Sequence, residues 1–142
     1  MLAVVATYAQ QDGDFVKGHP KLERIHAAKM AYITDRLRLT AEQATVFTPL
    51  YNQYEEEFVS IRMSFRKKYM DTHTDVDGMA RKHAIDDDLD YQQQIIELKR
   101  KYSDRFAKAI APKQVSDLYQ AEREFKQKLM QRLDEERPHH HW

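Results

Sequence analysis

The segment LTAEQATVFTPLYNQYEEEFVSI, residues 39–61, decides the fold. Thr40 is a residue type that caps helices, and Gln43 follows three positions later. At this spacing each side chain can bond the other residue's backbone N–H. Large apolar residues then recur every three or four positions, the repeat of an amphipathic helix. These residues are Phe47, Leu50, Tyr51, Tyr54, Phe58 and Ile61. The segment therefore predicts the start and the apolar face of a long helix, which we expect to end near Met70.

Three more helices are predicted around this one. The first covers residues 20–37, because Pro20 suits the first turn of a helix and apolar residues follow at helical spacing. A polar break at residues 71–77 precedes the third, which ends near Ile110. Pro112 disfavours helical geometry at the residue before it and so starts the fourth. Pro138 closes the fourth helix.

The apolar spacing continues through the last two predicted helices. In the third it includes Ile85, Leu89, Ile95, Leu98, Tyr102 and Phe106, and in the fourth Val115, Leu118, Tyr119, Phe125, Leu129 and Leu133. Pro49 lies inside the second helix and predicts a kink, because it cannot donate to the carbonyl of Thr45. We expect an all-α fold of four helices in two hairpins that turn at Thr40 and Pro112, with long central helices.

Composition excludes several classes of function. The chain has 142 residues and no cysteine, which excludes disulfides, thiol catalysis and cysteine zinc sites. Lys+Arg and Asp+Glu are 23 each, so no net charge attracts nucleic acid. Neither a phosphate-binding glycine loop nor a nucleophile motif occurs. We therefore expect a protein that is not an enzyme and needs no cofactor. The small apolar content favours a second copy that completes the core.

The two ends of the chain differ in character from the helical part. Residues 1–10 contain the apolar stretch Leu2 to Ala6 and a small residue at Ala9, typical of the end of a secretory signal. We interpret them as a truncated signal remnant, which predicts a periplasmic location. Residues 11–19 form a linker, residues 20–137 the helical domain, and residues 138–142 a His-rich tail. No other apolar run approaches the length of about 20 residues needed to span a membrane.

A family resemblance rests on the two helix junctions. Leu39-Thr40-Ala41-Glu42-Gln43 reads LTAEQ and resembles the LTxxQ motif of Spy/CpxP-type periplasmic proteins, which carry it twice. The second position falls at Ile110-Ala111-Pro112-Lys113-Gln114, where Ala111 replaces the capping hydroxyl. The likeness covers residues 21–136 and is greatest to the Bacteroidetes branch, whose members are labelled Spy/CpxP-like or sensor of ECF-type sigma factor.

The resemblance implies a thin, curved, helical homodimer in the periplasm. It would act as an ATP-independent chaperone or envelope-stress protein whose partners are unfolded or envelope proteins. An alternative is a regulatory sensor that acts on a membrane-bound stress regulator, either an ECF sigma/anti-sigma pair or a two-component system. In both cases the residues implied by the motif cap helices, and they are Leu39, Thr40, Gln43, Pro112 and Gln114.

Methionine and aromatic residues cluster around the turn between the second and third helices. Methionine-rich apolar surface adapts to varied partners, so this cluster is the candidate client or dimer contact. Its members are Met63, Phe65, Tyr69, Met70 and Met79. The alternative is ordinary core packing at helical spacing.

Metal binding is a further alternative, as a periplasmic zinc or nickel sensor. Glu23 and His26 have the spacing found in di-iron bundles, but no second such pair lies inside a helix. His26 and the tail residues His139, His140 and His141 are the candidate ligands. Asp86 and Asp90 share one helix face, which we interpret as solvated, with a cation site as the alternative.

Overall fold

The computed structural model describes residues 20–72 and 78–137, without the side chains of residues 71–81. Its helices are α1 Pro20–Leu37, α2 Ala41–Thr72, α3 Gly78–Ala109 and α4 Pro112–Glu136. No β-strand occurs in these residues, which confirms the all-α prediction. The two central helices are the longest, at 32 residues each. The predicted signal remnant, linker and His-rich tail lie outside the described residues.

The end of α1 is set by backbone geometry at Arg38. This residue has φ 52°, in the left-handed region that a non-glycine residue seldom adopts. The N–H of Arg38 donates to the carbonyl of Asp35 at 3.1 Å, and the N–H of Leu39 donates to that of Thr34 at 3.2 Å. This pair of bonds is a Schellman motif, which satisfies carbonyls that the end of a helix leaves unpaired.

The described residues form two compact units. The first, here called the hairpin unit, covers Pro49–Phe106, and the second, the terminal unit, covers residues 20–48 and 107–137. The helix α2 remains helical through Pro49, where the hairpin unit begins. The kink expected at this proline stays a prediction.

Aromatic side chains build the core of the hairpin unit. Tyr54 contacts Tyr102 and Phe106 at ring-centroid distances of 5.4 and 5.7 Å, and Tyr51 contacts Phe106 at 6.2 Å. Tyr51, Tyr102 and Phe106 are at most 1% exposed. Later residues of α2 contact earlier residues of α3, so the two helices are antiparallel. Each buried ring stabilises the unit by roughly 1.5–3 kcal/mol through loss of apolar surface.

The core of the terminal unit is mostly aliphatic. Its fully or almost fully buried residues are Ile33, Leu37, Phe47, Ile110, Leu118 and Ala121. The helices α1 and α4 pack along each other. Tyr32 contacts Phe125 at 5.9 Å between ring centroids, whereas Gln114 bonds the carbonyl of Leu37, so this pair is also antiparallel.

The two hairpins expected to turn at Thr40 and Pro112 stay a prediction. Among the described residues α1 packs against α4, and the aromatic face of α2 meets the aromatic face of α3. Ile85 and Leu89, which the spacing grouped with that face, are more than half exposed.

Candidate functional site

The first junction has the capping box that its sequence predicts. The Thr40 hydroxyl accepts the N–H of Gln43, and the Gln43 side-chain oxygen accepts the N–H of Thr40, both at 3.1 Å. Two N–H groups near the start of α2 are thereby satisfied within the chain. Leu39, just before the box, is half-buried.

The second junction keeps only half of a capping box. Ala111 is the N-cap of α4 and has extended backbone angles, but its methyl group cannot accept a hydrogen bond. The other half is present, because the side-chain oxygen of Gln114 accepts the N–H of Ala111 at 2.9 Å. Pro112 lies in the first turn, where its missing N–H needs no partner.

The two capping glutamines also bond each other. The Gln43 amide nitrogen donates to Gln114 Oε1 at 2.9 Å, and the Gln114 amide nitrogen donates to Gln43 Oε1 at 3.1 Å. Gln114 Nε2 additionally donates to the carbonyl of Leu37 at 3.2 Å. We call Gln43 and Gln114 the glutamine clasp. It joins the starts of α2 and α4 to the end of α1, all within the terminal unit.

A cluster of three polar side chains, Tyr32, Arg36 and Glu124, joins α1 to α4 by hydrogen bonds. Glu124 accepts hydrogen bonds from the Tyr32 hydroxyl at 2.7 Å and from Arg36 at 3.3 Å. The Tyr32 bond, followed by the Arg36 bond, lowers the pKa of the Glu124 carboxyl. The same pairing raises the pKa of Arg36. Both pKa shifts favour a charged Glu124 and a charged Arg36 at neutral pH, so the pair stabilises the packing of α1 on α4.

A comparable polar cluster lies near the core of the hairpin unit. The Tyr102 hydroxyl donates to Glu57 at 2.9 Å, and Lys101 pairs with the same carboxylate at 3.2 Å. Burial, together with the hydrogen bond to Glu57 and its negative charge, raises the pKa of Tyr102 to about 12. The hydroxyl therefore stays protonated at physiological pH. It donates a bond and does not act as a base.

The predicted contact cluster near the end of α2 is only partly exposed. Met63, Tyr69 and Met70 are 48, 47 and 63% exposed. Phe65 is half-buried and stacks on Tyr91 at 4.5 Å between ring centroids, so it belongs to the packing of the hairpin unit. The side chain of Met79 lies outside the described residues.

A second apolar row lies on α3, and the sequence analysis groups its first two members, Ile85 and Leu89, with the core. Ile85, Leu89 and Ile96 are 62, 57 and 51% exposed. Positions i, i+4 and i+11 share one side of a helix. This side lies about 140° around α3 from the face that contains Leu98 and Tyr102. The spacing alone indicates this separate row, because one face of a helix cannot contain both the exposed row and the buried residues Leu98 and Tyr102.

Charged residues flank both exposed apolar sets. On α2 they are basic, because Arg62, Arg66 and Lys67 are exposed beside Met63 and Met70. On α3 the exposed charges near the apolar row have both signs, from Asp86, Asp88, Asp90 and Glu97 and from Lys82, Lys99 and Arg100. We call these apolar residues and their flanking charges the hairpin surface. Such a surface is suited to protein contacts, because apolar area supplies attraction and charge supplies orientation.

The positions of acidic and histidine side chains bear on metal binding, and the length and hydropathy of the helices bear on membrane insertion. Within residues 20–72 and 78–137, no group of three or more His, Asp or Glu side chains is placed to hold a metal ion. His26 is half-buried and has a partner. His139, His140 and His141 lie outside the described residues. None of the described helices is long and apolar enough to cross a membrane.

Comparisons of the chain with protein-family models, curated proteins and solved structures give no match. Its function is therefore inferred from its own residues and surfaces. The glutamine clasp and the two polar clusters hold helices in place. The hairpin surface, by contrast, exposes apolar side chains that these helices leave uncovered.

Proposed function

We propose that this chain is a non-enzymatic protein-binding module of the Spy/CpxP type, which acts in the periplasm as an ATP-independent chaperone or envelope-stress protein. The observation that carries the proposal is the hairpin surface. Ile85, Leu89 and Ile96 expose more than half of their area along one side of α3. On α2, Met63 and Met70 are 48 and 63% exposed. Exposed apolar area of this kind marks protein contacts.

The resemblance at the two junctions supports the same proposal. Gln43 and Gln114 occupy the last position of each LTxxQ-like segment, and each bonds the start of its own helix. In a Spy/CpxP-type protein these helices would form a thin, curved dimer. That arrangement, the periplasmic location and the signal remnant are parts of the proposal.

We further propose that the module is a homodimer. In an interface with twofold symmetry the row of Ile85, Leu89 and Ile96 can pack against the same row of the partner, so the apolar area that is exposed in one copy becomes buried. The same apolar residues could also receive an unfolded client, because unfolded chains expose apolar segments that this surface can cover.

Light scattering of an aggregating client tests the binding activity. A chemically unfolded client is diluted into buffer with an equal or larger amount of the chain and without nucleotide. We expect the chain to suppress aggregation, and Leu89→Glu and Ile96→Glu to weaken the suppression. Gln94→Glu adds the same charge elsewhere on α3 and is the matched control. Undiminished aggregation at excess chain would refute the chaperone proposal.

Sedimentation tests the dimer separately. We expect the wild-type chain to sediment as a dimer at micromolar concentration and Leu89→Glu to shift it toward a monomer. The Gln94→Glu control is expected to remain dimeric. A wild-type monomer throughout this range would exclude the homodimer while leaving the aggregation result to decide client binding.

A further inference from the structure

A groove between α1 and α4 in the terminal unit plays no part in the proposed function. It has a volume of about 900 Å³. Its floor is apolar and comes from both helices, with the side chains of Ile25, Ala28, Tyr32, Phe125, Leu129 and Leu133. Five of these, all except the exposed Ala28, are half-buried and so keep area for a further partner.

The floor has the repeat of a helix surface. Phe125, Leu129 and Leu133 are four residues apart, so they form a row along α4 about 12 Å long. Ile25, Ala28 and Tyr32 form the facing row on α1 at spacings of three and four. Two antiparallel helices with facing apolar rows leave a seam in which a third helix can place its own row at i, i+3, i+4 and i+7.

The rim of the groove is basic in excess. It contains four cations and two carboxylates, from Lys21, Arg24, Lys128, Arg132, Glu135 and Glu136. Neither Arg24 nor Arg132 forms an ion pair within the residues that the structure describes. Lys128 lies over the Tyr32 ring at 4.6 Å, so its charge is held at the groove by a neutral partner. Within the described residues, Arg24, Lys128 and Arg132 thus place positive charge along the groove without forming an ion pair with a carboxylate.

We propose that this groove docks an amphipathic helix of a partner protein whose apolar row is flanked by Asp or Glu. The apolar floor supplies the contact area, and Arg24, Lys128 and Arg132 select acidic flanks over basic ones. The groove shares no residue with the hairpin surface, so this interaction goes beyond the proposed function and does not depend on it. It gives the module a defined partner besides any unfolded client.

Fluorescence anisotropy with two synthetic peptides tests the docking. Each peptide has about 18 residues, five helical turns, with Leu at i, i+3, i+4 and i+7. One carries Glu at the flanking positions and the other carries Lys. We expect the full-length chain to bind the Glu peptide, with an affinity that falls as salt rises. The Lys peptide is expected to bind about tenfold more weakly or not at all.

Charge reversal locates the binding in the groove. Arg24→Glu and Arg132→Glu are each expected to lower the affinity of the chain for the Glu peptide about fivefold to tenfold. Arg123→Glu makes the same change on α4 at an exposed position outside the groove and is expected to have little effect. Circular dichroism checks that every variant keeps its helices, so a loss of binding cannot come from unfolding.

Three results would overturn the proposal. These are no binding of the Glu peptide, equal binding of both peptides, and binding that the Arg24 and Arg132 variants leave unchanged. Sodium laurate is a separate probe for a small anionic amphiphile. Laurate binding that depends on Arg24 and Arg132, without binding of the Glu peptide, would assign the groove to a lipid-like ligand instead.

Discussion

Gln43 and Gln114 are 71 residues apart in the chain, yet their side-chain amides bond each other in both directions. Each oxygen also accepts the backbone N–H of its own helix's N-cap, Thr40 or Ala111. The orientation of each amide is therefore fixed, because only the oxygen can accept and only the nitrogen can donate. Removal of either residue leaves polar groups of the other without partners, which costs more than the lost bonds alone.

The first prediction concerns Gln114→Ala. This change removes the amide pair, the bond to the Ala111 N–H and the bond to the Leu37 carbonyl. We expect the free energy of unfolding to fall by about 2 kcal/mol, and by about 1 kcal/mol for Gln43→Ala. Urea titration measures both. Gln127→Ala, at an exposed position of α4, is the control and is expected to change stability by less than about 0.5 kcal/mol.

The double variant tests whether the two glutamines act together. Because either single change already breaks the clasp, the double change should cost about 1 kcal/mol less than the two singles combined. Strict additivity would show that the amide pair contributes nothing to stability.

Ala111→Ser is expected to stabilise the chain. Ala111 has the extended backbone angles of an N-cap but no side-chain acceptor. A serine hydroxyl at this position can accept the N–H of Gln114 and complete the box, as Thr40 does for α2. We expect a gain of about 1 kcal/mol in a thermal or urea titration. Ala111→Val, which adds bulk without an acceptor, should give no gain.

Arg38→Gly is expected to stabilise the end of α1. Arg38 has φ 52°, which costs a non-glycine residue about 1–2 kcal/mol and glycine nothing. The greater freedom of glycine in the unfolded chain offsets about 0.5–1 kcal/mol of this. A net gain of about 0.5 kcal/mol should raise the midpoint of thermal unfolding. By contrast, Arg100→Gly inside α3 should lower stability by about 1 kcal/mol.

Alkaline pH is expected to destabilise the hairpin unit through Tyr102. Its pKa is about 12 in the folded chain, against 10.0 for an ordinary tyrosine. Between these values the folded state holds a proton that the unfolded state has lost, so stability falls as pH rises. The contribution is fully present below about pH 10 and is lost as the pH approaches 12. Urea titrations at several alkaline pH values measure this slope.

Two variants separate Tyr102 from the other groups that titrate in this range. Tyr102→Phe should show a shallower alkaline slope than the wild-type chain, besides a lower stability at neutral pH from the lost bond to Glu57. Glu57→Gln keeps an acceptor but removes the negative charge, so its slope should lie between the two. An unchanged slope in Tyr102→Phe would disprove the assignment.

Much of the local structure follows from a few residues. Thr40 with Gln43 predicts the start of α2, Pro20 and Pro112 predict the starts of α1 and α4, and the structure has all three. These signals work because a cap or a proline acts within one helical turn. The apolar repeats likewise identify most of the buried aromatic residues of the hairpin unit.

The same signals do not predict contacts between residues that are distant in the chain. Gln43 and Gln114 each have a local role as a helix-capping residue, so the sequence does not indicate that they also bond each other. The pairing of α1 with α4 depends on which faces fit, and a helical repeat does not name its partner. For the same reason the sequence analysis groups Ile85 and Leu89 with the buried face, although with Ile96 they form an exposed row.

The glutamine clasp brings together the two ends of the segment 43–114. The end of α2 and the start of α3, in the middle of this segment, take no part in the hydrogen bonds of the clasp. Removing one heptad from the end of α2 and one from the start of α3 would shorten the segment while preserving the register of both helices. The length of the two central helices can thus be altered, in evolution or by design, while the bonds between Gln43 and Gln114 are kept.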